Sequence, residues 1–157
     1  GEAWNPTQYW LMFANGTDGV CRWPYTRWDY EPYYEEGCDS VMTGKAYTCH
    51  GGFCSHDQVS QLDNDFFGIS SEEAFSMVPG QKMATEVGYE CLVASGFNRQ
   101  TLKGRRIGSW FGDVGPDWGT FHEEWARFCP QVCPTLLATS MLNAATSSRI
   151  SYLFGLT

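Results

Sequence analysis

Asp63-Asn64-Asp65-Phe66-Phe67-Gly68-Ile69-Ser70-Ser71-Glu72-Glu73-Ala74-Phe75-Ser76-Met77 is the stretch whose reading decides the fold. Its first half places an apolar plug, Phe66-Phe67-Gly68-Ile69, at the end of a turn. In its second half Ser70 and Glu73 have the spacing of a capping box, which starts a short helix ending near Met77. Pro79 and Gly80 then punctuate. From 81 to 95 the apolar residues Met83, Val87 and Cys91 fall at i, i+4 and i+8, and Ala84 and Leu92 widen the stripe. That is the pattern of an amphipathic helix, and Gly96 stands where a left-handed terminator belongs.

Working outward, residues 1–14 form a helix from about Thr7 to Ala14, capped by Asn5, with Pro6 in the first turn and Asn15-Gly16 as the stop. Residues 15–79 read as an irregular excursion, dense in Gly, Asp, Tyr and Trp as far as residue 56 and broken by the short helix. A loop this long inside a domain usually serves a function or a partner. Residues 80–157 read as a helix–strand–helix–helix core part. The strand is Gly104–Gly112, its glycines spaced for close backbone approach. Trp118, Phe121, Trp125 and Phe128 recur at helical spacing, and a small-residue helix follows from Pro134 to Thr146.

The 157 residues carry 10 Lys and Arg against 18 Asp and Glu, a net charge of −8. This sign argues against a sequence-independent nucleic-acid binder, which needs cations to displace phosphate counterions. It also disfavours docking on an anionic membrane. No apolar run approaches the ~18–20 residues of a membrane span, and the N-terminus lacks the pattern of a secretory leader. An intracellular chain, cytoplasmic or plastid, is expected. Seven cysteines fit a disulfide framework poorly, because one thiol is left over. Asn15-Gly16-Thr17 matches the glycosylation acceptor pattern, which is too short and common to carry weight.

Local chemistry is sparse. Cys49-His50-Gly51-Gly52-Phe53-Cys54 could supply half a zinc site, with Cys129 and Cys133 as a second pair; a glycine turn with incidental thiols is the blander reading. His122, Glu123 and Glu124 read as a solvated helical face. Gly108-Ser109-Trp110-Phe111-Gly112 lacks the Lys-Ser/Thr tail of a phosphate loop. Spacing alone therefore yields no catalytic residue and no metal ligand set.

Asn5-Pro6-Thr7-Gln8-Tyr9-Trp10, Phe66-Phe67-Gly68-Ile69-Ser70 and Arg149-Ile150-Ser151-Tyr152, in that chain order, resemble blocks of the β-ketoacyl synthases of modular polyketide synthases and animal-type fatty acid synthases. Asn5-Pro6-Thr7-Gln8-Tyr9-Trp10 is similar to their Pro-x-x-Phe-Trp helix. Arg27-Trp28-Asp29 with Tyr33-Tyr34 resembles the RWD…YY segment, and Gly44-Lys45-Ala46-Tyr47 with Gly51-Gly52-Phe53 the GK-x-Y…GGF segment. Phe66-Phe67-Gly68-Ile69-Ser70, Glu73-Ala74 and Met77 match FFGIS-x-x-EA-x-x-M. Gly104–Gly112 resembles the glycine-rich strand, and Arg149-Ile150-Ser151-Tyr152-Leu153-Phe154-Gly155-Leu156 matches RISY-x-FGL. Val78-Pro79-Gly80-Gln81-Lys82 stands where the family has D-P-Q-Q-R, and Ser147-Ser148 replaces the small A-G before RISY.

The resemblance implies an α/β, partial thiolase-like fold: the N-terminal portion of a ketosynthase, lacking the first core strand and the nucleophile strand. It implies decarboxylative Claisen condensation of acyl and malonyl-type thioesters, with a phosphopantetheine-linked acyl carrier protein as substrate carrier and a dimeric parent enzyme. The nucleophilic Cys and catalytic His residues of the family lie beyond Thr157, so no catalytic residue is carried over and the chain as given is expected to be inactive. By analogy, Trp110, Phe111, Gly112, Met141, Arg149 and Tyr152 are candidates for lining the acyl pocket or an interface. The alternative is a ketosynthase-derived accessory subunit, whose open sheet edges and exposed rings another chain would cover.

Overall fold

The computed structural model describes residues 3–114, 139 and 142–157. It has two compact units, Gly1–His56 and Asp57–Thr157.

In the first unit, α1 runs Pro6–Ala14. Its start follows from local chemistry: the Gln8 amide donates to Asn5 Oδ1 at 2.9 Å, and Pro6 sits where a missing N–H costs nothing. None of its residues is buried. Two-residue strands β1 (Cys21–Arg22) and β2 (His50–Gly51) pair antiparallel, with Cys21 opposite Gly51 and Arg22 opposite His50. A parallel bridge joins Tyr34 to Ala46. Single 3₁₀ turns occupy Glu31–Tyr33 and Cys38–Val41.

The second unit is helical among the described residues. Its helices are α2 (His56–Ser60), α3 (Asn64–Phe67), α4 (Ser71–Ser76), α5 (Pro79–Ala94), α6 (Arg99–Leu102) and α7 (Asn143–Phe154). Asp63 caps α3 through the Phe66 amide at 3.1 Å, and Gly68 closes it with φ +70°. The plug then turns inward: Phe67, Ile69, Ala74 and Met77 meet Leu102, Ile150 and Phe154 in one core. Phe67 packs edge-on against Tyr89, and Tyr89 stacks on Phe154 with centroids 5.1 Å apart. α5 and α7 approach closely at Gly88, where a Cβ would stand 2.3 Å from Ile150 Cδ1.

Three sequence expectations are corrected. Residues 105–114 hold no strand. The backbone there bonds to the exit of α7 instead of a ladder, with the Thr157 amide donating to the Arg105 carbonyl at 2.9 Å. Asn143–Thr146 open a helix that continues to Phe154, so the small residues do not close one at Thr146. The excursion 15–79 contains α2 and α3 besides the foreseen α4, and α3 forms because Asp63 and Gly68 cap so short a turn at both ends. The expected helix over 118–128 lies outside the described residues.

Gly80 and Gly88 should respond oppositely to alanine. Gly80 lies in the first turn of α5, and nothing stands within 4 Å of where its methyl group would be. Gly80→Ala should therefore raise stability by about 0.5–1 kcal/mol. Gly88→Ala should lower it by about 1–3 kcal/mol, the cost of overpacking. Shifts in the urea midpoint read both.

Candidate functional site

The Arg149-to-Leu156 block and the Phe66-to-Met77 block meet across the core. Arg149 Nη1 donates to Glu73 Oε1 at 2.6 Å, with Arg149 only 9% exposed and Glu73 31%. Ser70 Oγ accepts from the Glu73 amide at 3.1 Å, which fixes the start of α4. The capping box is thus half made, since the Glu73 carboxylate reaches across to α7. Arg149 Nε, Thr146 Oγ1 and Gln81 Oε1 are buried and find no hydrogen-bond partner among the described residues. Gln81 Nε2 donates to the Thr139 carbonyl at 3.4 Å.

The end of α7 is clamped. Gly155 takes φ +61°, and its amide donates to the Tyr152 carbonyl at 3.3 Å while the Leu156 amide donates to Ser151 at 2.9 Å. The Gly104 amide donates to the Gly155 carbonyl at 2.7 Å, and Thr157 bonds back to both Arg105 and Gly104. The direction in which the chain leaves α7 is therefore held by backbone bonds on both sides.

Of the candidate lining residues, Arg149 is buried, whereas Trp110 and Tyr152 are 89% and 85% exposed. Phe111 is exposed, and Gly112 faces open space. The Trp110 ring folds back over Gly108, where a Cβ would meet it at 2.3 Å. Ser109 Oγ donates to the Ser147 carbonyl at 2.8 Å, tying this segment to α7. Met141 lies outside the described residues. The structure thus links 108–112 to α7.

Lys82, read from sequence only as a departure from the family's Arg, is a buried cation. Its Nζ donates to the Ser60 carbonyl at 2.8 Å, and burial pulls its pKa below the usual 10.5. Cys49 Sγ lies 3.4 Å from His50 Nδ1. Among the described residues no group of three or more His, Cys, Asp or Glu side chains could hold a metal; Cys129 and Cys133 lie outside them. No helix among the described residues is long and apolar enough to cross a membrane. The only sheet among the described residues is two residues long per strand.

Comparison with known proteins fits this geometry. The family model "Beta-ketoacyl synthase, N-terminal domain" matches residues 1–157. The pikromycin polyketide synthase component PikAII of Streptomyces venezuelae is 31% identical over 157 residues, which is 99% of this chain and 4% of that protein. The polyketide synthase GfsB of Streptomyces halstedii is 32% identical over 157 residues, 99% of this chain and 3% of that protein. The ketosynthase from module 6 of the bacillaene synthase of Bacillus subtilis 168 superposes with TM-score 0.79 at 23% identity, covering 99% of this chain and 23% of that one. The oxazolomycin ketosynthase domain OzmH KS7 of Streptomyces albus JA3453 gives TM-score 0.68 at 27% identity, covering 99% and 26%. The architecture is accordingly a portion of the thiolase-like ketosynthase fold.

Two outcomes test the polar contacts. Glu73→Ala should destabilise by about 1.5–3 kcal/mol, since it strands a buried guanidinium; Glu73→Leu combined with Arg149→Met should recover part of the loss in denaturant melts. For Lys82, the unfolded chain holds the ammonium proton more tightly than the folded chain. Stability should therefore rise with pH between the lowered folded pKa and 10.5, and Lys82→Met should flatten that rise.

Proposed function

The chain belongs to the β-ketoacyl synthase family, and we propose that it forms the N-terminal portion of a ketosynthase that performs decarboxylative Claisen condensation in polyketide or fatty acid synthesis. In that reaction a thiolate accepts an acyl group from a phosphopantetheine-linked acyl carrier protein. A malonyl-type thioester then loses carbon dioxide, and the carbanion equivalent attacks the acyl carbon and releases the thiolate. An oxyanion hole stabilises the charge that develops on the thioester oxygen.

None of these groups is assigned to a residue of this chain. Its contribution is positioning. α7 is fixed in rotation by the Glu73–Arg149 pair and in depth by Ile150 against Gly88. Gly155 and the bonds to Gly104 and Arg105 then fix where the polypeptide goes next. A catalytic thiol must be placed to within fractions of an ångström, so a clamped exit is what such a scaffold requires. Trp110, Phe111, Gly112, Met141 and Tyr152 remain proposed as lining or interface residues, and the wet rings of Trp110 and Tyr152 suit contact with further polypeptide, including a dimer partner. The same reading makes the protein an intracellular one.

The observation that carries this reading is the family match along all 157 residues. The chain spans less than a tenth of the polyketide synthases it matches and about a quarter of the ketosynthases it superposes on, so the test uses the whole polypeptide. Incubated with an acyl-loaded carrier protein, it should gain the acyl mass on a cysteine outside residues 1–157 and release carbon dioxide from a malonyl carrier. Residues 1–157 alone should do neither. An intact polypeptide that never becomes acylated would overturn the condensing role and leave a non-catalytic one.

A further inference from the structure

The first unit carries a feature that the positioning role proposed above does not use: a fixed aromatic platform with carboxylates beside it. Trp28 stacks on Tyr33 with centroids 5.0 Å apart and planes at 28°. Trp23 meets Trp28 edge-on at 5.5 Å and Phe53 edge-on at 5.0 Å, so the stack is braced from behind. Beside it Tyr25 stacks on the buried Tyr30 at 5.4 Å. The outer rings stay wet, with Trp28 41%, Tyr33 56% and Tyr25 61% exposed. Backbone bonds hold the frame: the Tyr33 amide donates to Tyr30 at 2.9 Å, and the Ala46 amide to Tyr33 at 2.8 Å.

Carboxylates outnumber cations around these rings, although Arg22, bonded to Cys49, lies beside Tyr30 and Tyr25. Between Tyr25 and Glu36 stand Asp29, Glu31, Glu35 and Glu36, and the only cation in that stretch is Arg27. Arg27 Nη2 donates to the Cys54 carbonyl. Glu31 Oε1 accepts from the Tyr25 hydroxyl at 2.5 Å, which places a carboxylate against the second stack. Asp29 Oδ1 accepts from the Glu31 amide at 3.1 Å, and Glu35 Oε2 accepts from the Thr43 hydroxyl at 2.7 Å. These carboxylates are held in place and retain free lone pairs.

We propose that this platform docks an arginine-bearing polypeptide segment of a partner protein. Exposed rings alone would fit any apolar surface, but the carboxylates repel anionic partners and select a cation. A guanidinium satisfies both parts at once. Its flat face lies on Trp28 or Tyr33, and its edge forks onto a carboxylate. Lysine, a strongly hydrated point charge, does this less well. The platform is a few rings wide, so it fits an extended segment rather than a domain face.

The test uses the complete polypeptide and a fluorescent short peptide alternating arginine and glycine, with lysine and glutamate versions as comparators. The arginine peptide should bind, the lysine peptide more weakly and the glutamate peptide not at all. Trp28→Leu should weaken arginine binding about 3- to 30-fold, the range of cation–π contacts. Glu31→Gln with Glu35→Gln keeps every ring, and should weaken binding and flatten its salt dependence; this variant guards against misfolding of Trp28→Leu. Absent binding, or equal arginine and lysine binding insensitive to Trp28→Leu, would overturn the proposal. So would a Trp28 emission component, identified by difference from Trp28→Phe, that acrylamide cannot quench in the complete polypeptide. Because the readout is binding, failure here leaves the condensation reading untouched.

Discussion

The seat of α7 on α5 governs the second unit. Ile150 Cδ1 occupies the space that a Cβ at position 88 would fill, so glycine there lets this side chain seat directly against α5. This seat brings Phe154 into stacking contact with Tyr89 and within edge-on reach of Phe67, which in turn anchors the turn before α4. A buried large apolar side chain contributes roughly 1.5–3 kcal/mol, so Phe67, Met77, Leu102, Ile150 and Phe154 dominate the stability of this unit.

On that apolar seat, the polar contacts decide orientation more than stability. Desolvating Arg149 costs much of what its bond to Glu73 returns. What the pair does fix is rotation: it demands that one face of α7 look toward the start of α4, and an apolar residue at 149 would accept several neighbouring rotations. Lys82 shows the same logic on the far side of α5. It ties α5 to the end of α2 through the Ser60 carbonyl, while its depressed pKa records the cost of burial. Helices as short as α2 and α3 would not persist in water alone, and such cross-ties together with the plug hold them.

Much of this was legible in the sequence where local chemistry decides the outcome. Asn5 with Pro6 starts α1, Ser70 starts α4, and Gly96 takes the left-handed backbone expected after α5. The family blocks located the core residues, because Phe67, Ile69, Ala74 and Met77 sit together in one block and Ile150 and Phe154 in another. Long-range choices were not legible. Glu73 and Arg149 are 76 positions apart, and nothing in their spacing announces that the carboxylate prefers the guanidinium to its own cap. The glycines of 104–112 suggested close backbone approach, which is correct in kind, but the partner is the exit of α7 and not a neighbouring strand. The candidate lining residues were drawn from family analogy, which carries sequence position but not exposure.

The two units stabilise themselves by different means, and that difference bears on what each can do. The second unit gathers Phe67, Tyr89 and Phe154 into a core, while Trp110 and Tyr152 stay exposed on it. The first unit buries Tyr30 and Cys49 among its apolar residues but leaves every residue of α1 and most of its rings in contact with water. Ring–ring contacts contribute only about 0.5–1.5 kcal/mol each beyond area burial, and a two-residue β-pair adds little. Such a unit gains more from a partner than a saturated core would, because its apolar faces are already oriented and so cost little further entropy on binding. Preorganised but uncovered rings are a poor way to build an independent globule and a good way to build a contact surface.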